Sequence, residues 1–153
     1  HPRHVEALQK LWPVRSLRYT QPEWDPTVDT LFIDTVGLLA YLYFYAHVVW
    51  IGGGFGKGIH NILEAAVYGK PVFFGPNHQG FPEAEILIKQ KVAESCKYPP
   101  SFSNSVKSFI KDRRRLQLVE ERTQDYFRQH LDTPQLVWEV ISQKEWARAL
   151  EEH

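Results

Sequence analysis

The sequence predicts an α/β fold: a Rossmann-like parallel sheet flanked by helices. Three observations lead there. The runs at residues 47–51 and 71–74 are apolar without alternation, as strands covered on both faces are. Stretches with apolar residues at helical spacing alternate with them. Between those two strands lie a glycine-rich loop and a helix start, so residues 47–75 read as a β-α-β unit, whose crossover is expected to be right-handed.

Each element has a local reason. Val5, Leu8, Leu11 and Trp12 give residues 3–12 a helical spacing, which Pro13 ends. Residues 16–20 and 30–33 are short strands on either side of a polar loop with two prolines, 21–27. Asp34 and Thr35 offer N-cap side chains to a helix over 36–46. A helix is expected over 61–68, with Gly69 just past its end and Pro71 barring continuation. Strand 71–74 is closed by Gly75-Pro76-Asn77. Residues 81–91 are helical with Pro82 in the first turn, and 92–95 form a short strand. Residues 97–104, with Pro99 and Pro100, read as a loop; 105–110, 116–130 and 134–150 read as helices.

Composition sets limits. A chain of 153 residues is one domain or a piece of a larger protein, and 43% hydrophobic residues suffice for a core. Lys+Arg and Asp+Glu both number 18, which argues against a general nucleic-acid-binding surface. A single cysteine, Cys96, excludes an internal disulfide framework and fits a reducing compartment. No apolar run approaches the roughly 20 residues of a membrane span, and no signal peptide opens the chain. There is no methionine, so an excised fragment is expected, with His153 a candidate tag remnant. The seven histidines and the acidic residues show no metal-ligand spacing.

The functional signal is the glycine loop. Five of the seven residues from position 52 to 58 are glycine. Glycine accepts positive φ and lets backbone approach a ligand closely. A helix start behind the loop offers N–H groups and partial positive charge to a phosphate or carboxylate. In parallel sheets ligands sit beyond the carboxyl ends of strands, so the loops at 34–38, 52–60 and 75–81 are expected to line one crevice. The loop is neither a dinucleotide-binding G-x-G-x-x-G nor a Walker A sequence. Asn61-x-x-Glu64 has two readings, a capping box or a polar pair facing a ligand. Lys57 is either solvated or reaches an anionic substrate, and His60 either begins a helix or donates to a phosphate or sugar oxygen. The basic run at 111–115 is a wet helix face or a contact for acidic lipid heads.

Several of these segments together resemble one family. They are Asp34-Thr35-Val36-Gly37-Leu38-Leu39, Ile51-Gly52-Gly53-Gly54, the stretch Gly58-Ile59-His60-Asn61-Ile62-Leu63-Glu64-Ala65-Ala66, then Gly69-Lys70-Pro71-Val72 and Gly75-Pro76-Asn77. Their order and spacing resemble the C-terminal half of 3-deoxy-D-manno-octulosonic acid (Kdo) transferases, which are GT-B glycosyltransferases. The resemblance covers about residues 1–140. It is most specific over 34–88. The chain has Leu38 where the family often has Glu, and Ile62 and Ala66 where it often has Pro.

The resemblance implies a single Rossmann-like nucleotide-sugar-binding domain over 1–153, part of a two-domain enzyme. That enzyme moves Kdo from CMP-Kdo to lipid A precursor, without a metal or other cofactor. Asp34, Thr35, Gly37 and Leu38 would lie along cytosine and ribose. Gly53, Gly54, Lys57, Gly58, His60 and Asn61 would hold the phosphate. Glu64 would meet the ribose hydroxyls, and Asn77 would complete the pocket. The catalytic carboxylate would belong to the N-terminal domain, so this piece alone is expected to be inactive. That domain would also bring the lipid acceptor and a peripheral seat on the cytoplasmic face of the inner membrane of a Gram-negative bacterium, the fragment itself being soluble. The family's first strand of this domain would lie before His1, so either the protein carries it ahead of His1 or the sheet is altered. Two alternatives stand beside this one: a GT-B domain for another nucleotide sugar such as a UDP-sugar, or a non-enzymatic nucleotide-binding domain.

Overall fold

A computed structural model describes residues 2–21, 23 and 25–130. The helix expected over 134–150 lies outside the described residues. The chain divides into two compact units, His1–Leu42 and Tyr43–His153.

The first unit holds α1 (Pro2–Leu11), β1 (Ser16–Arg18) and β2 (Thr30–Phe32). The two strands pair in parallel, with Leu17 opposite Leu31. Trp12 meets Phe32 edge to face at 5.7 Å and donates its indole N–H to Thr30 Oγ1 at 2.9 Å. Arg18 reaches Glu6 at 3.0 Å.

The helix expected over 36–46 is shorter: α2 runs Leu39–Tyr45. Asp34 does not cap it. Its carboxylate accepts from the Thr20 N–H at 3.1 Å and the Thr20 hydroxyl at 2.6 Å. Gly37, at φ 97°, keeps the chain out of the helix.

The second unit continues with β3 (Val49–Trp50), α3 (Leu63–Ala66), β4 (Val72–Phe74), α4 (Pro82–Lys89), β5 (Ala93–Ser95), α5 (Pro99–Lys111) and α6 (Arg113–His130). Its sheet is parallel throughout, in the order β3-β4-β5, with Val49 opposite Val72 and Val72 opposite Ala93. The two crossovers run through α3 and α4, as parallel strands require. The expected β-α-β unit is present. The described strands form two sheets of two and three strands rather than one.

Central β4 explains the apolar run in the sequence. Val72, Phe73 and Phe74 are fully buried. Phe73 packs edge to face on Phe102 and Phe109 of α5, at 5.4 and 5.7 Å. Ala65 and Ala66 of α3, Ala84 and Leu87 of α4 and Val119 of α6 complete the core. Burying the larger of these, such as Val72, Phe73 and Leu87, contributes about 1.5–3 kcal/mol each.

Two boundaries move for clear reasons. The segment expected as a loop over 97–104 is mostly helical, because Pro99 and Pro100 occupy the first turn of α5, where a missing N–H is harmless. The helix expected over 61–68 shrinks to the single turn of α3. Gly69 ends that turn at φ 69°, and a Cβ there would lie 2.9 Å from Glu120 Cγ.

Candidate functional site

The site is built where β3 and β4 end. Ile51 still pairs with β4, its N–H donating to Phe73 C=O at 2.8 Å. The chain then folds back on itself. His60 N–H donates to Gly52 C=O at 3.1 Å, Gly54 N–H donates to Gly58 C=O at 2.6 Å, and Gly53 and Ile59 form an antiparallel bridge between those bonds. Ile59 and Ile62 drop into the core, which anchors the returning limb. Phe55-Gly56-Lys57 is left at the tip.

Most of these glycines answer to packing, which corrects the idea that all five keep backbone bare for a ligand. Gly53, Gly54 and Gly58 have φ of 92°, 81° and 132°. A Cβ on Gly54 would stand 2.6 Å from Gly75 Cα, and one on Gly75 would stand 2.5 Å from Gly54 C. A Cβ on Gly53 would strike Gly58 O, and one on Gly58 would lie 2.9 Å from the Phe81 ring. Only at Gly56 of the five is the space open.

Asn77 fastens the loop after β4 to the glycine loop. Its backbone N–H donates to Gly54 C=O at 2.8 Å, and its side-chain amide donates to Gly56 C=O. The sequence expects Asn77 near a ligand; what the geometry shows is that it fixes the shape of the tip.

The helix behind the loop is one turn long, so little macrodipole is available. The capping box does not form as expected. Asn61 Oδ1 accepts from Leu63 N–H at 3.0 Å, an Asx turn, and Asn61 Nδ2 donates to Glu64 Oε1 at 3.2 Å. Glu64 therefore meets the Asn61 side chain rather than its backbone. Its charge, after burial, is the second reason that the buried Tyr43 phenol titrates above its ordinary value.

What remains for an anion runs through the loop and includes its tip, since the N–H groups of Gly53 and Gly58 also have no acceptor among the described residues. Among the described residues, none accepts a hydrogen bond from the N–H groups of Phe55, Gly56 or Lys57. Lys57, His60, Asn61 and Glu64 are exposed. Free N–H groups beside an ammonium are donors of the kind that bind phosphate. Sequence reading found the loop and Lys57 but not Phe55 and Gly56 as donors, and it counted Gly54, whose N–H is taken by Gly58 C=O.

Asp34, Thr35, Gly37 and Leu38 follow β2 in the first unit. There Asp34 serves Thr20. The Thr20 hydroxyl bond, with Arg18 a smaller influence, holds the Asp34 carboxyl below its ordinary range. The described residues include no group of three His, Cys, Asp or Glu side chains placed to hold a metal.

The parallel β-α-β units and the loop at the strand ends define a Rossmann-like α/β domain. No family model matches the chain. Among curated proteins, the Kdo transferase of Chlamydia muridarum is 28% identical over 116 residues, 74% of this chain and 27% of that protein. The Kdo transferase of Rickettsia typhi is 30% identical over 95 residues, 61% of this chain and 21% of that one. The chain thus spans about a quarter of the length of the relatives it matches. The crystal structure of the C-terminal CMP-Kdo binding domain of WaaA from Acinetobacter baumannii superposes with a TM-score of 0.72 at 17% identity, over 82% of this chain and 68% of that one. By sequence the chain is a relative of the Kdo transferases, and its fold is that of their C-terminal domain.

Proposed function

We propose that the chain is the donor-nucleotide domain of a Kdo transferase in lipopolysaccharide biosynthesis. The observation that carries this reading is the tip Phe55-Gly56-Lys57, which presents free N–H groups and an ammonium at the carboxyl ends of parallel strands in a relative of those enzymes. The donor is CMP-Kdo, the ligand named for the structurally similar A. baumannii domain. Displacement at the anomeric carbon releases CMP, and negative charge grows on its phosphate as the bond breaks. Preorganised N–H donors and Lys57 stabilise that charge without reorganising. Glu64, oriented by Asn61, accepts from the ribose hydroxyls. No metal is needed, because main chain and lysine take the cation's part.

The catalytic base, the lipid A precursor and the seat on the cytoplasmic face of a Gram-negative inner membrane belong, in this reading, to the rest of a GT-B enzyme. This chain alone binds the donor and transfers nothing. Titration calorimetry with CMP, UMP and AMP tests the reading. The expected result is heat with CMP in preference to the other two. Equal heats, or none, overturn it, and a preference for UMP reassigns the donor.

A further inference from the structure

A second set of cations gathers in the same unit around β5. A cavity of about 630 Å³ opens there, floored by Ile88, Ala93, Phe109 and Leu118. Three basic side chains line it: Lys91, Arg115 and Arg122. No residue of the glycine loop does.

Lys91 is the only residue other than glycine at positive φ among the described residues, at 59°. It stands just past α4, where Lys91 N–H donates to Ile88 C=O and Val92 N–H to Leu87 C=O, both at 2.9 Å. That pair of bonds is a Schellman ending, whose left-handed position is normally glycine. A lysine there is strained relative to glycine. Strain retained at an exposed position points to use of the side chain.

The neighbouring charges leave the cations available. Lys91 and Arg122 have no carboxylate within ion-pair distance among the described residues, and both also line an adjoining cavity of about 310 Å³. Arg115 is held in place by the Phe109 ring, 3.8 Å from its centroid, and by its bond to Ser108 at 2.6 Å. Of the two carboxylates in the cavity, Glu94 accepts from the Ser105 hydroxyl at 2.5 Å and Glu85 lies 3.1 Å from His78 Nδ1.

We propose that Lys91, Arg122 and Arg115 form a second anion site that takes the phosphate group of a phosphorylated ligand, its apolar part resting on the Ile88–Leu118 floor. The phosphate could come from a soluble ester or from a lipid headgroup, and the chemistry at the cations is the same.

The test is calorimetry of the full chain with inorganic pyrophosphate, beside sedimentation with phosphatidylcholine vesicles with and without phosphatidic acid. Wild type binds pyrophosphate, the vesicles carrying phosphatidic acid, or both. Pyrophosphate alone indicates a soluble ligand, and co-sedimentation indicates a headgroup. Lys91→Gly and Arg122→Gln each weaken binding about tenfold or more, as loss of a charge-assisted contact does. Made in a Lys57→Ala background, the same two substitutions abolish the pyrophosphate binding that remains there, which separates this site from the glycine loop and from any failure of the donor reading. Lys91→Gly also melts higher, which shows that lost binding is not lost folding. Binding of neither probe, or equal affinity in wild type, Lys91→Gly and Arg122→Gln, overturns the proposal.

Discussion

The loop after β3 and the turn after α4 both carry left-handed backbone, and they fill it differently. At Gly53, Gly54 and Gly58 neighbouring atoms of the protein occupy the space a side chain would need. At Lys91 a long side chain has room and stands beside a cavity. Glycine density therefore reports first on how closely two loops pack. The absence of glycine from a position that favours it is a separate signal, and it points outward. In the glycine loop the proposed binding groups are the tip residues that the packed glycines hold in place.

Substitutions break or sharpen this contrast. The largest effect is expected from Gly54→Ala. Its methyl must displace the Gly75 backbone at 2.6 Å while the residue keeps φ 81°, so denaturant unfolding should show a loss of about 2–5 kcal/mol. Asn77→Ala comes next. It removes the side-chain bond to Gly56 C=O but keeps the backbone bond to Gly54, so a loss of about 0.5–1.5 kcal/mol is expected. The tip is then less ordered, and CMP affinity falls further than stability does.

Lys91→Gly goes the other way. Relief of left-handed strain exceeds the added chain entropy, for a gain of about 0.5–1 kcal/mol read as a higher melting temperature. A loss of stability at Lys91→Gly would erase the contrast, since both turns would then depend on their native residue alike.

The smallest effect is a pH dependence. Burial, then the Glu64 charge, raises the Tyr43 phenol above 10.0. The unfolded chain ionises first, so this contribution is complete below pH 10 and fades as pH rises through the folded value. Tyr43→Phe should make stability decline less steeply above pH 10, in pH-dependent denaturant unfolding. Tyr126 and Cys96, also raised by burial, continue to titrate in that variant.

Much of this fold was legible in the sequence because its core elements announce themselves. The short apolar run Pro71 to Phe74, opened by proline and closed by Gly75-Pro76, reads as a strand with both faces covered, and Gly69 before Pro71 marks the end of the preceding turn. Pairing was less legible. Nothing local says that residues 16–18 and 30–32 form a sheet of their own. The start of α5 was hidden because Pro99 and Pro100 signal loops and first turns equally. The site divides the same way. The glycine loop stands out in any window, whereas the clamp from Asn77 to Gly56 joins loops 21 residues apart and exists only once β3 and β4 lie side by side. Lys91 left no mark at all, because a lysine at the end of a helix is ordinary until its φ is known.

The most direct measurement follows the backbone amides of the ¹⁵N-labelled chain by NMR as CMP is added. The account predicts that Phe55, Gly56 and Lys57 move first and furthest, with Asn61 and Glu64 following, while Lys91 and Arg122 stay still. Unchanged amides at the tip, or shifts centred on the α4 end, would contradict it.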